Sequence, residues 1–426
     1  MRRRAHRDEA AEREPLVLIG ARYAFGSDES AFGTIEVRDG LIARISESKV
    51  RSDGLGAGTC QIDLSGYLVM PGLINAHDHL GFALHPRLAD PPYRNYVDWG
   101  EDIHRKFPDV FDRYRAVPKH VRLWWGGIRN LLCGVTTVCH HDPLWPELKR
   151  DEFPVRVVQR YGWAHSLALG GDMRAAYAAT HKDWPFIVHA CEGVDELARR
   201  ELATLDRLGC LGANTVLVHG LAISPDDVVL LARRGNSLVV CPSSNFFLFE
   251  ELPDLTILGK IGRLALGSDS PLTAAGDLLD EIRFAVDGYG LPARQIWRMV
   301  TTTSAEILKL GKFAGSICES GVADLIAVRD SGLDPARQLA ALRVEDVELA
   351  MIGGRVHLAS DAIFDRLPET LTRGLEPLLV GMAIRWLRAP VGNLLRQAQA
   401  ILGEDGVRLG GRAIRSAQIA EVVHAR

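Results

Sequence analysis

No apolar run in the chain approaches the roughly 20 residues that a membrane span requires, so no spanning segment is expected. Cysteine is sparse and unpatterned. Its seven positions (60, 133, 139, 191, 210, 241 and 318) are odd in number and never in CxxC spacing. That argues against a disulfide scaffold or a thiolate zinc site and fits a reducing compartment. Neither charge sign dominates: the net charge is -4, which leaves no electrostatic footprint for nucleic acid. The first residues, MRRRAHRDEAAEREP, mix both signs around no apolar core, so they do not read as a secretory signal. Residues 1–15 are expected to be a flexible tail, and the cytoplasm is the expected location. Internal repeats and low-complexity tracts are also missing.

What remains is a globular chain of 426 residues, 47% hydrophobic and 24% charged, with material for a large core and more than one domain. Its centre of interest is VMPGLINAHDHL, residues 69–80. An apolar run ends in His77, Asp78 and His79, and alternation along a strand sends His77 and His79 to the same face. Two neutral imidazoles on a rigid strand end are a metal-ligand pair. An isolated HxH also arises by chance on a solvent-facing surface, so the rest of the chain must decide.

Before this stretch, LVLIGARYAF, FGTIEVRD, LIARISE and CQIDLSGYLV are short and rich in strand formers, with Asp39-Gly40 at a hairpin position. The same texture returns in VADLIAVR and VELAMIGGRVHL, where Gly353-Gly354 supplies the turn. Residues 16–68 and 315–360 are therefore expected to build one small β-domain. Between them, over 69–314, apolar runs alternate with helical stretches: LINAH, GVTTVCH, VRVVQRYGWAH, FIVHA, NTVLVHG, SLVVCP and LALGSD. Ser224 and Pro225 open one such helix and Gly235 closes it. Strand–helix alternation means a parallel sheet, and about eight units over roughly 240 residues fit an α/β fold of the (β/α)8, TIM-like kind. Only 23 residues separate His165 from His189, so the fourth unit is expected to be irregular. Residues 361–426 read as a C-terminal helical segment, broken near Pro390 and packed on the barrel, with a homo-oligomer contact as the other reading.

Further polar residues close strand-like runs: His189 in FIVHACEG with Glu192 three residues on, His219 in TVLVHG, and Asp269 in LALGSDS. In a parallel barrel the C-terminal strand ends share one mouth. Histidines and an aspartate there would supply three or four nitrogens and one oxygen around an ion, with a position left for water. Such an ion lowers the pKa of its water toward ~7, and a carboxylate beside that water can shuttle its proton.

VMPGLINAHDHL, VHACEG, VLVHG, CPSSNFFL, LGSDSP and TTTSAEILKLGKFAGSICESGVADLIAV together resemble the amidohydrolase superfamily, and more narrowly its cytosine deaminase, guanine deaminase and triazine hydrolase branch. The resemblance runs from about residue 60 to 330. It implies a metal held by His77, His79, His189 and Asp269. It also implies that Glu192 moves a proton from water to a ring nitrogen, that His219 orients water or substrate, and that Asp269 accepts a proton. It implies a β-sandwich built from the two flanking pieces. Binuclear members bridge two ions with a carboxylated lysine on the fourth strand. Here Lys119, Lys149 and Lys182 close no strand-like run, so one divalent ion, Zn2+ or Fe2+, is expected. The H-x-E…P-C-x-x-C pattern of nucleotide-type zinc deaminases is missing, since SSN follows Cys241-Pro242.

The expected function is hydrolytic deamination of a planar nitrogen heterocycle. Ring opening of an imidazolone-like cyclic amide, or displacement of another leaving group, is the alternative. A non-catalytic binding protein on the same fold would be expected to lose ligands, and all six positions are filled. For substrate contact His165 and Asn245 are the candidates. His140, His141 and Asp142 lie after the second strand, and His85, Tyr93, Trp99 and His104 lie in a segment that caps the pocket. Trp124 and Trp125 read as core. A small molecule is the expected partner, with no nucleic acid and no membrane.

Overall fold

The computed structural model describes residues 15–47 and 60–417. The tail read over residues 1–15 falls, apart from Pro15, outside the described residues, as do residues 48–59 and 418–426.

The first strands are β1 (Leu16–Ala24), β2 (Ser30–Arg38), β3 (Leu41–Ser46), β4 (Cys60–Asp63) and β5 (Tyr67–Pro71). The barrel strands follow: β6 (Leu73–Asp78), β7 (Val135–His140), β8 (Arg156–Val157), β9 (Gly162–Ala164), β10 (Phe186–Ala190), β11 (Thr215–His219), β12 (Ser237–Val240) and β13 (Leu264–Leu266). Then come β14 (Leu325–Arg329), β15 (Val347–Ile352), β16 (Arg355–Ser360), β17 (Glu376–Val380), β18 (Ala383–Leu387), β19 (Arg408–Leu409) and β20 (Arg412–Ser416).

The strands outside the barrel join in one 12-stranded sheet, in which β14 from the late part of the chain pairs antiparallel with β5 from the early part. β1 forks this sheet, since its first half pairs with β4 and its second with β5. Leu18, Tyr23, Ile62, Tyr67, Met351 and Val356 share a core of their own there. Asp39-Gly40 and Gly353-Gly354 are the turns of its hairpins, all four residues at positive φ, as two-residue loops between right-twisted strands require.

The C-terminal reading needs correction. Residues 361–426 are not simply helical: β17, β18 and β20 extend the sheet from β16. Alternate burial in Glu376–Val380 and Ala383–Leu387 has period two, and Gly381, at φ 61°, turns the chain between them. Arg385 of β18 is buried and donates to the carbonyls of Glu345 and Ile384. The longest helix of this segment, Val391–Leu402, starts after Pro390.

The eight barrel strands form two parallel sheets, β6-β7-β8 and β9 to β13 in order. One seam is bridged where Asp78 pairs with Asp269 and the Asp269 N–H donates to the His77 carbonyl. At the other, the chain passes directly from β8 to β9. That explains the short spacing before His189. The run VRVVQRYGWAH is two strands with no helix between them, not one. His165 therefore follows the fourth barrel strand, and a single short helix, Met173–Ala179, links it to β10.

Alternation separates two sets of side chains. Ile187, Val216, Val218, Val239, Cys241 and Ala265 pack together in the barrel interior, whereas Val188, Leu217, Leu238, Val240 and Leu266 face the surrounding helices. The helices that matter to the site are α1 (Tyr96–Lys106), α2 (Pro108–Arg115), α3 (Lys119–Leu132), α4 (Met173–Ala179), α5 (Glu196–Arg207), α6 (Pro225–Arg234) and α7 (Pro242–Phe249). Ser224 and Asp227 form a capping box on α6, and Gly235 ends it in the left-handed conformation.

Candidate functional site

Plain alternation would not put every expected site residue at the barrel mouth, and two local devices correct the phase while a glycine makes room. In β6, Ile74 and Ala76 belong to the interior set, which by parity would point His77 and His79 outward. A bulge between Asn75 and Asp78 inserts one residue against β7. It re-aims both histidines inward and sends Asp78 toward α3, as bulges beside sites commonly do. In β11, Val218 is interior and His219 should face out, but its φ of 77° turns the ring back to the mouth. On the neighbouring strand Gly267 allows His77 to come close, since a Cβ there would stand 2.6 Å from the His77 Cβ.

Four ligand-type atoms converge on the floor of the mouth. His189 Nε2 lies 3.2 Å from His77 Nε2 and 3.3 Å from His79 Nε2. Asp269 Oδ1 lies 3.5 and 3.6 Å from the same two nitrogens. Around an ion with bonds of about 2.1 Å, ligands at a tetrahedral angle stand ~3.4 Å apart, so the set fits a divalent cation. The tautomer of His189 agrees. The Nδ1 of His189 is 2.7 Å from the His165 carbonyl; a carbonyl only accepts, so Nδ1 carries the hydrogen and Nε2 presents its lone pair inward. Burial, then the neighbouring imidazoles, lowers His79 and His189 well below the usual histidine range and keeps the rings in the neutral, coordinating form. Ser244 and Thr273 hydroxyls hold Asp269 Oδ2 at 2.6 and 3.2 Å, which leaves Oδ1 for the cluster. Burial works to raise the Asp269 carboxyl, but its hydrogen bond with His77 and the adjacent His219, His77 and His79 hold it well below the usual carboxylate range.

A second pair stands beside this set. His219 Nε2 is 3.6 Å from Glu192 Oε2. His219 Nδ1 is 2.9 Å from Asn245 Oδ1 and donates to it, so the neutral ring turns a lone pair toward Glu192. Burial first, then the charges of Asp269 and Glu201, push the Glu192 carboxyl well above its ordinary range. A carboxyl so placed holds a proton more readily than an exposed one, which suits a group that carries protons.

Above the floor lies a cavity of about 380 Å³. Its walls include Phe82, Trp99, Ile103, Phe111, Trp163 and Leu169, and His165 is among its lining residues. Trp99 and His104 of the capping segment reach it, while His85 and Tyr93 do not line it. Asn245 requires correction as a substrate contact. It is fully buried in the first turn of α7, behind His219, and does not line the cavity. The Pro242-Ser243-Ser244 stretch that precedes it is the start of the same helix.

One ring nitrogen of His141 lies within 4.8 Å of those of His77, His79 and His189. Its ring packs on that of His189 with centroids 4.2 Å apart at 20°, and its Nε2 donates to the Ala164 carbonyl at 2.9 Å, which fixes the ring beside the His77, His79 and His189 set. His140 is buried and accepts from the Leu80 N–H. Lys119, Lys149 and Lys182 are not at the end of β9; Lys119 pairs with Asp142 at 3.5 Å on the rim. Thr273 and Tyr96 were not singled out by the sequence reading. Thr273 reaches Asp269 from a turn four residues on, and no pattern in the sequence marks it. Tyr96 carries no signal either, because only the fold brings α1 to β10.

Residues 164–357 match the amidohydrolase family. The chain is 29% identical over 325 residues to the 5-methylthioadenosine/S-adenosylhomocysteine deaminase of Haloquadratum walsbyi, covering 63% of this chain and 72% of that protein. It is 26% identical over 389 residues to the enzyme of the same name from Syntrophobacter fumaroxidans, covering 76% and 87%. Among solved structures, a zinc-bound adenosine deaminase from Xanthomonas campestris superposes with a TM-score of 0.68 at 19% identity, over 90% of this chain and 97% of that one. The zinc complex of an atrazine chlorohydrolase from Arthrobacter aurescens gives 0.68 at 16% identity, over 91% and 99%.

Proposed function

The chain carries an amidohydrolase-family domain, and from that premise we propose that it is a metal-dependent hydrolase that deaminates a planar nitrogen heterocycle. The observation that carries this reading is the convergence of His77, His79 and His189 Nε2 with Asp269 Oδ1, beside the Glu192–His219 pair, on the floor of one cavity. His77, His79, His189 and Asp269 would hold one divalent ion, zinc or iron, since imidazole and carboxylate suit both. Bound there, the ion supplies Lewis acidity and makes a water nucleophilic at neutral pH.

The rest falls to the chain. Asp269 keeps Oδ2 engaged by Ser244 and Thr273, so Oδ1 alone is offered to the ion and to the second proton of the attacking water, which passes on to the departing amino group so that it leaves as ammonia. Glu192 accepts a proton from that water and delivers it to a ring nitrogen, a transfer its raised affinity for protons suits. His219, its Nδ1–H committed to Asn245, presents Nε2 to the same region and holds the substrate group being released. The aromatic wall formed by Phe82, Trp99, Phe111 and Trp163 excludes water and offers flat faces to a planar ring. The cavity exceeds a bare base in size, which supports a substrate with a substituent, such as the adenosine derivatives that the named relatives act on.

The test is ammonia release from a panel of amino-purines and their nucleosides, 5′-thio-adenosines, amino-pyrimidines, triazines and imidazolones, with and without a chelator. Chelator-sensitive ammonia release from a member of the panel is expected. Turnover only of imidazolones or of triazines bearing other leaving groups would replace deamination by another hydrolysis. Turnover that survives complete metal removal would overturn the reading.

A further inference from the structure

Glu192 stands in a loop whose backbone is fixed from every side. Cys191 sits at φ 56° and Gly193 at φ 153°, where a Cβ would be 2.6 Å from the Arg94 carbonyl. Around them the Ala190 carbonyl accepts from Gly220, the Cys191 carbonyl from Ala222 and the Glu192 carbonyl from Tyr96, while Val194 donates to Arg94. The Cys191 N–H is taken by a side chain: Glu201 of α5 accepts it through Oε2 at 2.7 Å. The other oxygen, Oε1, accepts the Tyr96 O–H at 2.8 Å, and that hydroxyl in turn accepts from the Ala168 N–H. Glu201 and Tyr96 are both buried. Among the described residues no Lys, Arg or His forms an ion pair with Glu201. Burial raises its carboxyl to about 7 against the pull of these two hydrogen bonds. An unpaired buried carboxylate is a costly way to fill space, so packing does not account for it. Two donors reaching its two oxygens do, because only a carboxylate accepts on both sides.

We propose that Glu201 is a positioning residue for Glu192: by accepting the Cys191 N–H and the Tyr96 O–H together, it fixes the left-handed turn that aims Glu192 at His219 and ties that turn to helix α1 above the cavity. This rests on the reading of Glu192 as the proton carrier. A displacement of about 1 Å at such a group can cost ~10²-fold in rate, with substrate binding and the ion largely untouched.

The experiment uses the full metal-loaded chain carrying Glu201→Leu or Glu201→Gln. Amide deuterium exchange is read at residues 190–194, together with metal content, kcat and KM on a substrate from the panel. Exchange at these amides should rise in the order wild type, Gln, Leu, with metal content unchanged. The leucine variant should lose tenfold or more in kcat with KM within about threefold, and glutamine, which keeps one acceptor, should recover much of the loss. Wild-type exchange at 190–194 in folded Glu201→Leu, or turnover within twofold of wild type, would overturn the proposal. Should the leucine variant not fold, wild-type exchange and turnover in Glu201→Gln would do the same. The exchange measurement needs no substrate. Loosened amides together with an unimpaired Glu192→Gln enzyme would therefore count against the proton-carrier reading and not against the clamp.

Discussion

Arg129 should be among the most costly side chains to truncate outside the ligand set. Its guanidinium is almost fully buried and lies 2.6 Å from Asp78 Oδ2, with further bonds to Gly276 O, Asp269 O and Ser268 Oγ. Asp78 is completely buried between His77 and His79, and its Oδ2 also accepts from Asn75, Asn130 and Ser268. Arg129→Leu leaves that carboxylate with neutral donors only. Removing one partner of a buried pair costs about 3–5 kcal/mol. With an unfolding entropy near 2.1 cal/mol/K per residue, 426 residues give ~0.9 kcal/mol/K, so Tm should fall by roughly 3–6 °C. Calorimetry on wild type, Arg129→Leu and the double variant Asp78→Asn/Arg129→Leu measures it. The double variant should regain most of the loss, because no charge is left buried. A single variant within 1 °C of wild type, or a double variant no better than the single, would refute the account of this pair.

The other expectations concern the mouth and its surroundings. Glu192→Gln should keep its metal and lose ~10²–10⁴ in turnover, measured on one purified sample; loss of metal instead would move Glu192 into the ligand set. His79→Ala should lose metal and activity together, which elemental analysis beside a rate assay checks. Glu281, buried and accepting from the Ser243 N–H and O–H, has its carboxyl raised to about 8, by burial first. A folded-state pKa above the unfolded one adds stability that is complete below the unfolded pKa and lost as pH rises through the folded pKa. Tm should therefore decline between about pH 5 and 8, and Glu281→Gln should flatten the decline; an unchanged slope would remove Glu281 as its source.

How much could be read from the chain depended on whether the signal was local. Strand-closing histidines, the Asp269 motif, the paired turn residues and the cap of α6 are contiguous in sequence, and each announces itself through a residue type with a specific physical job. The alternation argument for His77 and His79 gave the right pairing of side chains, while the bulge that turns them inward leaves no mark in composition. The division of VRVVQRYGWAH into two strands was hidden because an apolar run does not show where a sheet is interrupted. β17 and β18 were expected to be helical because the segment reads as a long apolar stretch; alternation of period two, and a carbonyl partner forty residues away for Arg385, emerge only in three dimensions. Tyr96 and Glu201 meet across more than a hundred residues, so no window along the chain contains both.

The extra residue in β6 makes this site a matter of reading frame. Deleting Ala76, the residue between Asn75 and His77, would restore regular pairing with β7 and leave composition, hydrophobicity and strand length nearly as they are. Both imidazoles would then turn into the greasy layer under α3, and a carboxylate would enter the barrel interior. A chain so shortened would keep every recognisable motif except the spacing within one. Comparison by residue identity alone would still group it with its relatives. For this fold, a single deleted codon is therefore a more thorough way to abolish chemistry than most substitutions, and alignment gaps at this strand carry more information about activity than mismatches do.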